Sequence, residues 1–335
     1  MDPEFAAAVE ATKANAHPAP AGIPTPAQIR ALYDSACTVD HAAFHEKLLP
    51  QDSAYTLRDN VVAVEGGEVL VRCITPASEG GQVMFPLYFN MHGGGGCVGS
   101  ITNDDFMLRR LSGDFRMVTV NVEYRLAPKH KFPIGFSDCF AALKWVVVNA
   151  PSIGADLSKG FLIGGHSAGA RTAACLAHEA RDDPFFKDTT LTGQLLRDPA
   201  VIVSPSVLPE KYKPVYKSFE ENAMNPPLSR PVIENLRRMY NSPGDEHDPR
   251  AGALLYPSHE GLPPAYIQCM GVDILRDDSI IYEMALREAG VKTHLTLIPG
   301  VGHGFYYNYP HISLAEKARE DMRNGFKWLL GRDGA

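Results

Sequence analysis

A serine flanked by glycines stands where a buried strand gives way to a helix. Phe161 to Gly164 is apolar and short, as a strand enclosed on both faces would be. Residues 168–181 carry apolar side chains at helical spacing. Between them runs Gly165-His166-Ser167-Ala168-Gly169. A strand that turns this sharply into a helix is half of a βα unit, and βα units build parallel sheets. The turn strains the serine backbone and lifts its hydroxyl above the sheet, beside the free N–H groups of the helix N-terminus.

The rest of the chain follows the same alternation. Val61 to Val64 and Val69 to Val71 flank Glu65-Gly66-Gly67-Glu68 and read as a β-hairpin. Phe85 to Met91 and Met117 to Val122 read as strands. Helix 137–149 precedes strand Phe161 to Gly164, and helix 168–181 precedes a strand at Ala200 to Val203. Strand Ala265 to Met270 leads to helix 278–289, and strand Thr293 to Ile298 leads to a last helix near Leu314 to Leu330. The fold class is therefore α/β, a mostly parallel central sheet flanked by helices, with the hairpin antiparallel at one edge.

Two regions depart from the alternation. Residues 205–258 are too long for a loop and contain one clear helix, Pro231 to Tyr240, so they read as a cap insertion. At the other end, Met1-Asp2-Pro3-Glu4-Phe5 looks vector-encoded and is set aside. Residues 6–27, rich in Ala and Pro, read as a poorly ordered lead-in. Ile29, Leu32, Tyr33 and Ala36, then Phe44, Leu48 and Leu49, have the spacing of one or two short helices. The expected division is an N-terminal segment with cap helices (1–50), a first part of the core (51–204), the insertion (205–258) and a second part of the core (259–335).

Composition narrows the partners. The net charge of −7 disfavours a nucleic-acid partner, which needs a basic face. No apolar run reaches the length of a bilayer span, so no membrane partner is expected. The six cysteines are scattered singly, without a C-x-x-C pair, which argues against a zinc site. They read as small buried hydrophobes and favour a reducing, cytoplasmic setting.

Three further segments carry chemistry. His92-Gly93-Gly94-Gly95-Gly96 follows a strand directly, and glycines there let backbone N–H groups close on a developing oxyanion. The run lacks G-K-[ST] and does not fit G-x-G-x-x-G, so a nucleotide site is not expected. The serine needs a base, and the base needs an acid that orients it. Asp273 follows a late strand, where such an acid belongs. Asp277 and Asp278 are its rivals, but they open a helix, where acids serve as caps. Among the histidines beyond Asp273, His303 lies in the loop Gly302-His303-Gly304-Phe305. His294 alternates within a strand, and His311 follows Pro310 at a helix entrance.

With these residues in view, the chain resembles the hormone-sensitive-lipase-like esterases of the α/β-hydrolase superfamily, also called bacterial family IV. Met91-His92-Gly93-Gly94-Gly95, Tyr124-Arg125-Leu126-Ala127-Pro128, Gly165-His166-Ser167-Ala168-Gly169, Gly271-Val272-Asp273 through Asp278, and Gly302-His303-Gly304-Phe305 carry the resemblance. It implies Ser167 as nucleophile, His303 as base and then acid, Asp273 as orienter, and the N–H groups of Gly94, Gly95 and Ala168 as oxyanion donors. It implies a small-molecule ester substrate and neither cofactor nor metal. Dimers are common among such enzymes, so a homodimer is the assembly carried forward.

The expected activity is that of a serine carboxylesterase working through an acyl-enzyme. The same triad serves amide, formamide or lactone hydrolysis and acyl transfer or cyclisation. A non-catalytic receptor is the third reading, and the intact His303 motif speaks against it. Two departures touch the pocket. His166 replaces the family's usual Asp or Thr. Gly96 replaces a common aromatic, which predicts a larger pocket and a bulkier ester, with Gly96, Cys97 and His166 as substrate contacts.

Overall fold

The computed structural model describes residues 1–15, 28, 44–78 and 83–332. Eight strands form one sheet: β1 (Tyr55–Val64), β2 (Gly67–Pro76), β3 (Leu87–Met91), β4 (Val118–Glu123), β5 (Phe161–His166), β6 (Gly193–Arg197), β7 (Ala265–Met270) and β8 (Thr293–Ile298). Their order is β1-β2-β4-β3-β5-β6-β7-β8. The hairpin pairs Val64 with Gly67, so Glu65 and Gly66 form a two-residue turn, and Gly66 takes φ +70° there. β2 runs antiparallel to β4, and every later pairing is parallel.

The sheet is covered on both faces because its strands alternate two sets of apolar side chains. Tyr88, Leu162, Leu195 and Tyr266 point to a core shared with α2 (Asp105–Phe115) and α7 (Ser313–Leu329). Their chain neighbours Phe89, Phe161, Ile163, Leu196 and Ile267 pack against α3 (Ile134–Asn149), α4 (Ala168–Asp182) and α6 (Arg276–Glu288). The chain leaves β3 towards β4, then crosses back over β3 to β5 and continues outward. Strand order thus reverses between β3 and β5, which opens a crevice at their carboxyl ends. His92 and Ser167 begin the two loops on that crevice.

Three expectations need correction. Ala200 to Val203 is not a strand; β6 lies earlier, at Gly193–Arg197. The strand is masked in sequence by Gln194 and Arg197, both buried, each of which sets part of its polar end against a tertiary partner. Gln194 Nε2 donates to the Pro263 carbonyl at 3.0 Å, and the Arg197 guanidinium lies over the Tyr306 ring. Next, Met1 to Phe5 is part of the structure. Helix α1 (Pro3–Asn15) buries Phe5 against Phe305 and Tyr309, and Glu4 accepts a hydrogen bond from the Ser313 N–H at 3.0 Å, satisfying the start of α7. Residues 6–15 are therefore helical rather than an unordered lead-in. The helical spacing read from Ile29 to Ala36 lies outside the described residues.

Within 205–258 the chain makes short helical turns and one amphipathic helix, α5 (Arg230–Tyr240). No helix among the described residues is long and apolar enough to cross a membrane. Cys73, Cys97, Cys139, Cys175 and Cys269 are buried.

Candidate active site

Each turn that presents a functional group is forced by close packing. A Cβ added at Gly165 or Gly169 would run into the Met91 carbonyl oxygen, so β3, β5 and α4 approach only because both positions are glycine. Ser167, between them, takes φ 54° and ψ −116°, a backbone conformation that costs on the order of 1–3 kcal/mol in a non-glycine residue. Its N–H donates to the Arg197 carbonyl at 2.9 Å, which ties the strained turn to β6.

The strain places the hydroxyl in a hydrogen-bonded chain. Ser167 Oγ lies 2.9 Å from His303 Nε2, and His303 Nδ1 lies 2.7 Å from Asp273 Oδ2. Segments from β5, β7 and β8 thus converge at hydrogen-bond distance. The second Asp273 oxygen accepts the Leu275 N–H at 2.9 Å, which fixes the carboxylate plane. Asp277 and Asp278 stand at the start of α6 but do not cap it: Asp277 accepts from the Ser218 N–H, and Asp278 from the Ile202 N–H. His294 and His311 are exposed and far in contact terms, His294 against Tyr266 and Trp328 and His311 against Phe44.

Burial opposes a charge on His303, but the neighbouring Asp273 carboxylate and its hydrogen bond outweigh burial and raise the imidazole above 6.5. Burial in turn pushes the Asp273 carboxyl up from 3.8, and the imidazole opposes that rise. The pair is therefore built to hold a proton on the ring when one arrives.

A glycine loop faces the serine. Gly94, Gly95 and Gly96 all have positive φ, at 112°, 67° and 74°. The loop is pinned from behind: Cys97 and Val98 donate to the Gly94 carbonyl, and the His92 ring stacks on Tyr124, whose hydroxyl donates to the His92 carbonyl at 2.8 Å. The N–H groups of Gly94 and Gly95 take no acceptor among the described residues. Ala168 opens α4, where the first N–H groups lack intrahelical partners. All three residues border one cavity of about 300 Å³ together with Ser167 and His303, and its wall is mostly apolar.

The structure overturns two pocket contacts. Gly96 and Cys97 do not line the cavity. A Cβ at Gly96 would meet the Tyr240 ring at 2.5 Å, so the ring from α5 already fills the space that the small residue leaves. The pocket is not enlarged there. Cys97 is buried behind the loop, its sulfur 3.6 Å from the Leu236 carbonyl oxygen.

His166 does line the cavity. Its ring packs so tightly on Gly93 that a Cβ there would meet Nδ1 at 2.5 Å. Nε2 lies 3.5 Å from Asp198, and neither ring nitrogen makes a hydrogen bond among the described residues. Burial pushes this imidazole down to about 4, against the pull of Asp198, so it is neutral at pH 7.

Asp198 was not legible in the sequence. Its Oδ2 accepts the Gly304 N–H at 2.9 Å and the Tyr306 hydroxyl at 3.1 Å, which anchors the loop that carries His303. Among the described residues, His166, Asp198 and His303 are the one group close enough to offer a metal three ligand atoms. Both His303 nitrogens are already engaged by Ser167 and Asp273, so the donor set does not suit a resident ion.

Comparison with known proteins places this geometry. Residues 88–307 match the family model described as alpha/beta hydrolase fold. The chain belongs to that family. It is 35% identical to an AB hydrolase superfamily protein of Schizosaccharomyces pombe over 305 residues, 90% of this chain and 87% of the relative. It is 32% identical to the versiconal hemiacetal acetate esterase of Dothistroma septosporum over 309 residues, 92% of this chain and 90% of that one. Among solved structures, vibralactone cyclase superposes with a TM-score of 0.93 at 37% identity, covering 100% of this chain and 96% of the other.

Proposed function

We propose that Ser167 attacks the carbonyl of a carboxylic ester, with His303 as general base and Asp273 as its orienter. The chain is a carboxylic ester hydrolase of the α/β-hydrolase fold, like the esterases it resembles. The observation that carries the assignment of roles is the continuous chain from Asp273 through His303 to the Ser167 hydroxyl.

The steps follow from that chain. The serine proton passes to His303 Nε2 as Oγ bonds to the carbonyl carbon. The oxyanion accepts hydrogen bonds from the N–H groups of Gly94, Gly95 and Ala168. Each such donor contributes on the order of 2.7–4 kcal/mol to the transition state, because it needs no reorganisation. The imidazolium then gives its proton to the departing alcohol, and the carbon–oxygen bond breaks. Water, deprotonated by the same imidazole, releases the acid and restores Ser167. Residues 205–258 act as a cap: α5 lays Ile233, Leu236 and Tyr240 over the serine and keeps bulk water from the acyl group.

A second reading has its own support. The structure with the TM-score of 0.93 is a cyclase. If the acyl chain carries its own hydroxyl, that hydroxyl takes the place of water and closes a lactone. The triad, the protons and the oxyanion contacts stay the same. Product identification separates the two outcomes.

The acyl-enzyme gives a kinetic signature. With p-nitrophenyl butyrate under pre-steady-state conditions, a burst of p-nitrophenolate approaching one equivalent is expected when deacylation is slower than acylation. Absence of turnover on any activated ester sinks the proposal.

A further inference from the structure

Arg171 sits in the first turn of α4, four residues after the serine, and its N–H donates to the Ser167 carbonyl at 2.9 Å. Three features of its guanidinium are unfavourable for the protein alone. The residue is only 7% exposed, so a full charge is largely removed from water. It lies near the positive end of a helix, where cations are repelled. Its Nη2 is buried without an acceptor, and no carboxylate among the described residues pairs with it. The Tyr240 ring, 4.3 Å from the guanidinium carbon, offsets part of this cost.

Other arginines with an unpartnered buried nitrogen differ. Arg109, Arg230 and Arg319 each hold a carboxylate, and Arg197, which holds none, stacks on the Tyr306 ring outside the lining of the Ser167 cavity. Arg171 instead borders the cavity that contains Ser167. A second guanidinium borders the same cavity: Arg237, from α5, donates to the Ile202 carbonyl at 2.8 Å. Asp278 acts on Arg237 from a distance, and burial pushes that carboxyl up to about 8, so it is mostly uncharged at pH 7. The cavity wall thus carries two cations whose charge the fold does not neutralise, inside a lining that is otherwise mostly apolar.

We propose that Arg171 and Arg237 form an anion subsite, and that the preferred substrate is an ester carrying a carboxylate at the end remote from the scissile bond. This rests on the reading of Ser167 as nucleophile and adds the substrate class to it. A carboxylate in that position lies beside both guanidinium groups and offsets their charge. Binding it restores what folding lost, so the preference is expected in KM more than in kcat.

The test compares p-nitrophenyl butyrate with mono-p-nitrophenyl glutarate, which adds one remote carboxylate. The wild-type protein is expected to have the higher kcat/KM on the glutarate monoester. In Arg171→Gln the ratio of the two values is expected to fall about tenfold or more, chiefly through KM, and Arg171→Lys should retain part of it. An unchanged ratio in Arg171→Gln overturns the inference. Failure to turn over either ester overturns the Ser167 reading instead, so the two failures are distinct. Should Arg171→Gln not fold, inhibition of the wild-type protein decides: glutarate is expected to compete more strongly than glutaramide, and equal inhibition overturns the subsite.

Discussion

Ser167→Ala is expected to lower kcat/KM for p-nitrophenyl butyrate by about 10⁴-fold or more, with the fold intact. The hydroxyl is the one atom through which the acyl group would pass, and no second nucleophile among the described residues is placed to replace it. Cys97, the nearest cysteine in sequence to the glycine loop, is sealed behind that loop with its sulfur turned to backbone carbonyls. His166 has open nitrogens, but its ring is wedged against Gly93. The residual rate should come from the glycine-loop N–H groups and the cavity, which do not need the serine. Removing the strained serine's hydroxyl costs few contacts, since its recorded side-chain partner is His303. The melting temperature is therefore expected to stay within a few degrees, which separates lost chemistry from lost structure.

Asp273→Asn should produce the second-largest loss, roughly 10³- to 10⁴-fold in kcat/KM. An amide can donate to Nδ1, which turns the neutral ring so that Nε2 carries the hydrogen and cannot accept one from Ser167. The variant also gives a sign test through pH. Burial disfavours the charged ring, and Asp273 overrides it, so the folded imidazole titrates above 6.5. The base works in its neutral form. Activity should therefore rise with pH, with a midpoint above 6.5 in the wild-type protein. Without the carboxylate, burial is opposed only by the smaller pull of Asp198 and Asp278, and the midpoint should move to lower pH, even as the maximum rate falls. A kcat/KM profile against pH for both proteins checks this. A midpoint that stays put, or rises, contradicts the assignment of Asp273 as the partner that charges the ring.

The residues of the candidate site were more legible in the sequence than the architecture around them, and the reason is physical. Ser167, Asp273 and His303 each sit at a strand end within a glycine-bearing turn, and such turns tolerate few residue types. Gly165 and Gly169 are required by the Met91 carbonyl alone. The hairpin was legible because Val61 to Val71 is apolar around a short polar turn. By contrast β6 was misplaced by several residues. Gln194 and Arg197 are buried only because Pro263 and Tyr306 receive them, and those partners lie elsewhere in the chain. Ala200 to Val203 is apolar enough for a strand but forms no ladder with a neighbour, and the Ile202 N–H goes to Asp278 Oδ2.

Gly96 teaches the same lesson at the pocket. A missing side chain suggested free volume, and the volume belongs to Tyr240. Local reading tells what a residue lacks, and only packing tells what occupies the gap. Asp198 and Arg171 escaped notice for a related reason. Asp198 follows a strand that was misplaced. Arg171 falls on a helix recognised by its apolar spacing, although its position one turn after the serine was a usable signal.

The central claim is tested most directly by treating the protein with diethyl p-nitrophenyl phosphate and mapping the product by mass spectrometry. One diethylphosphoryl group per chain is expected, on the peptide containing Ser167, with activity lost in step. A fully inhibited protein whose Ser167 is unmodified, or a labelled serine with turnover undiminished, would contradict it.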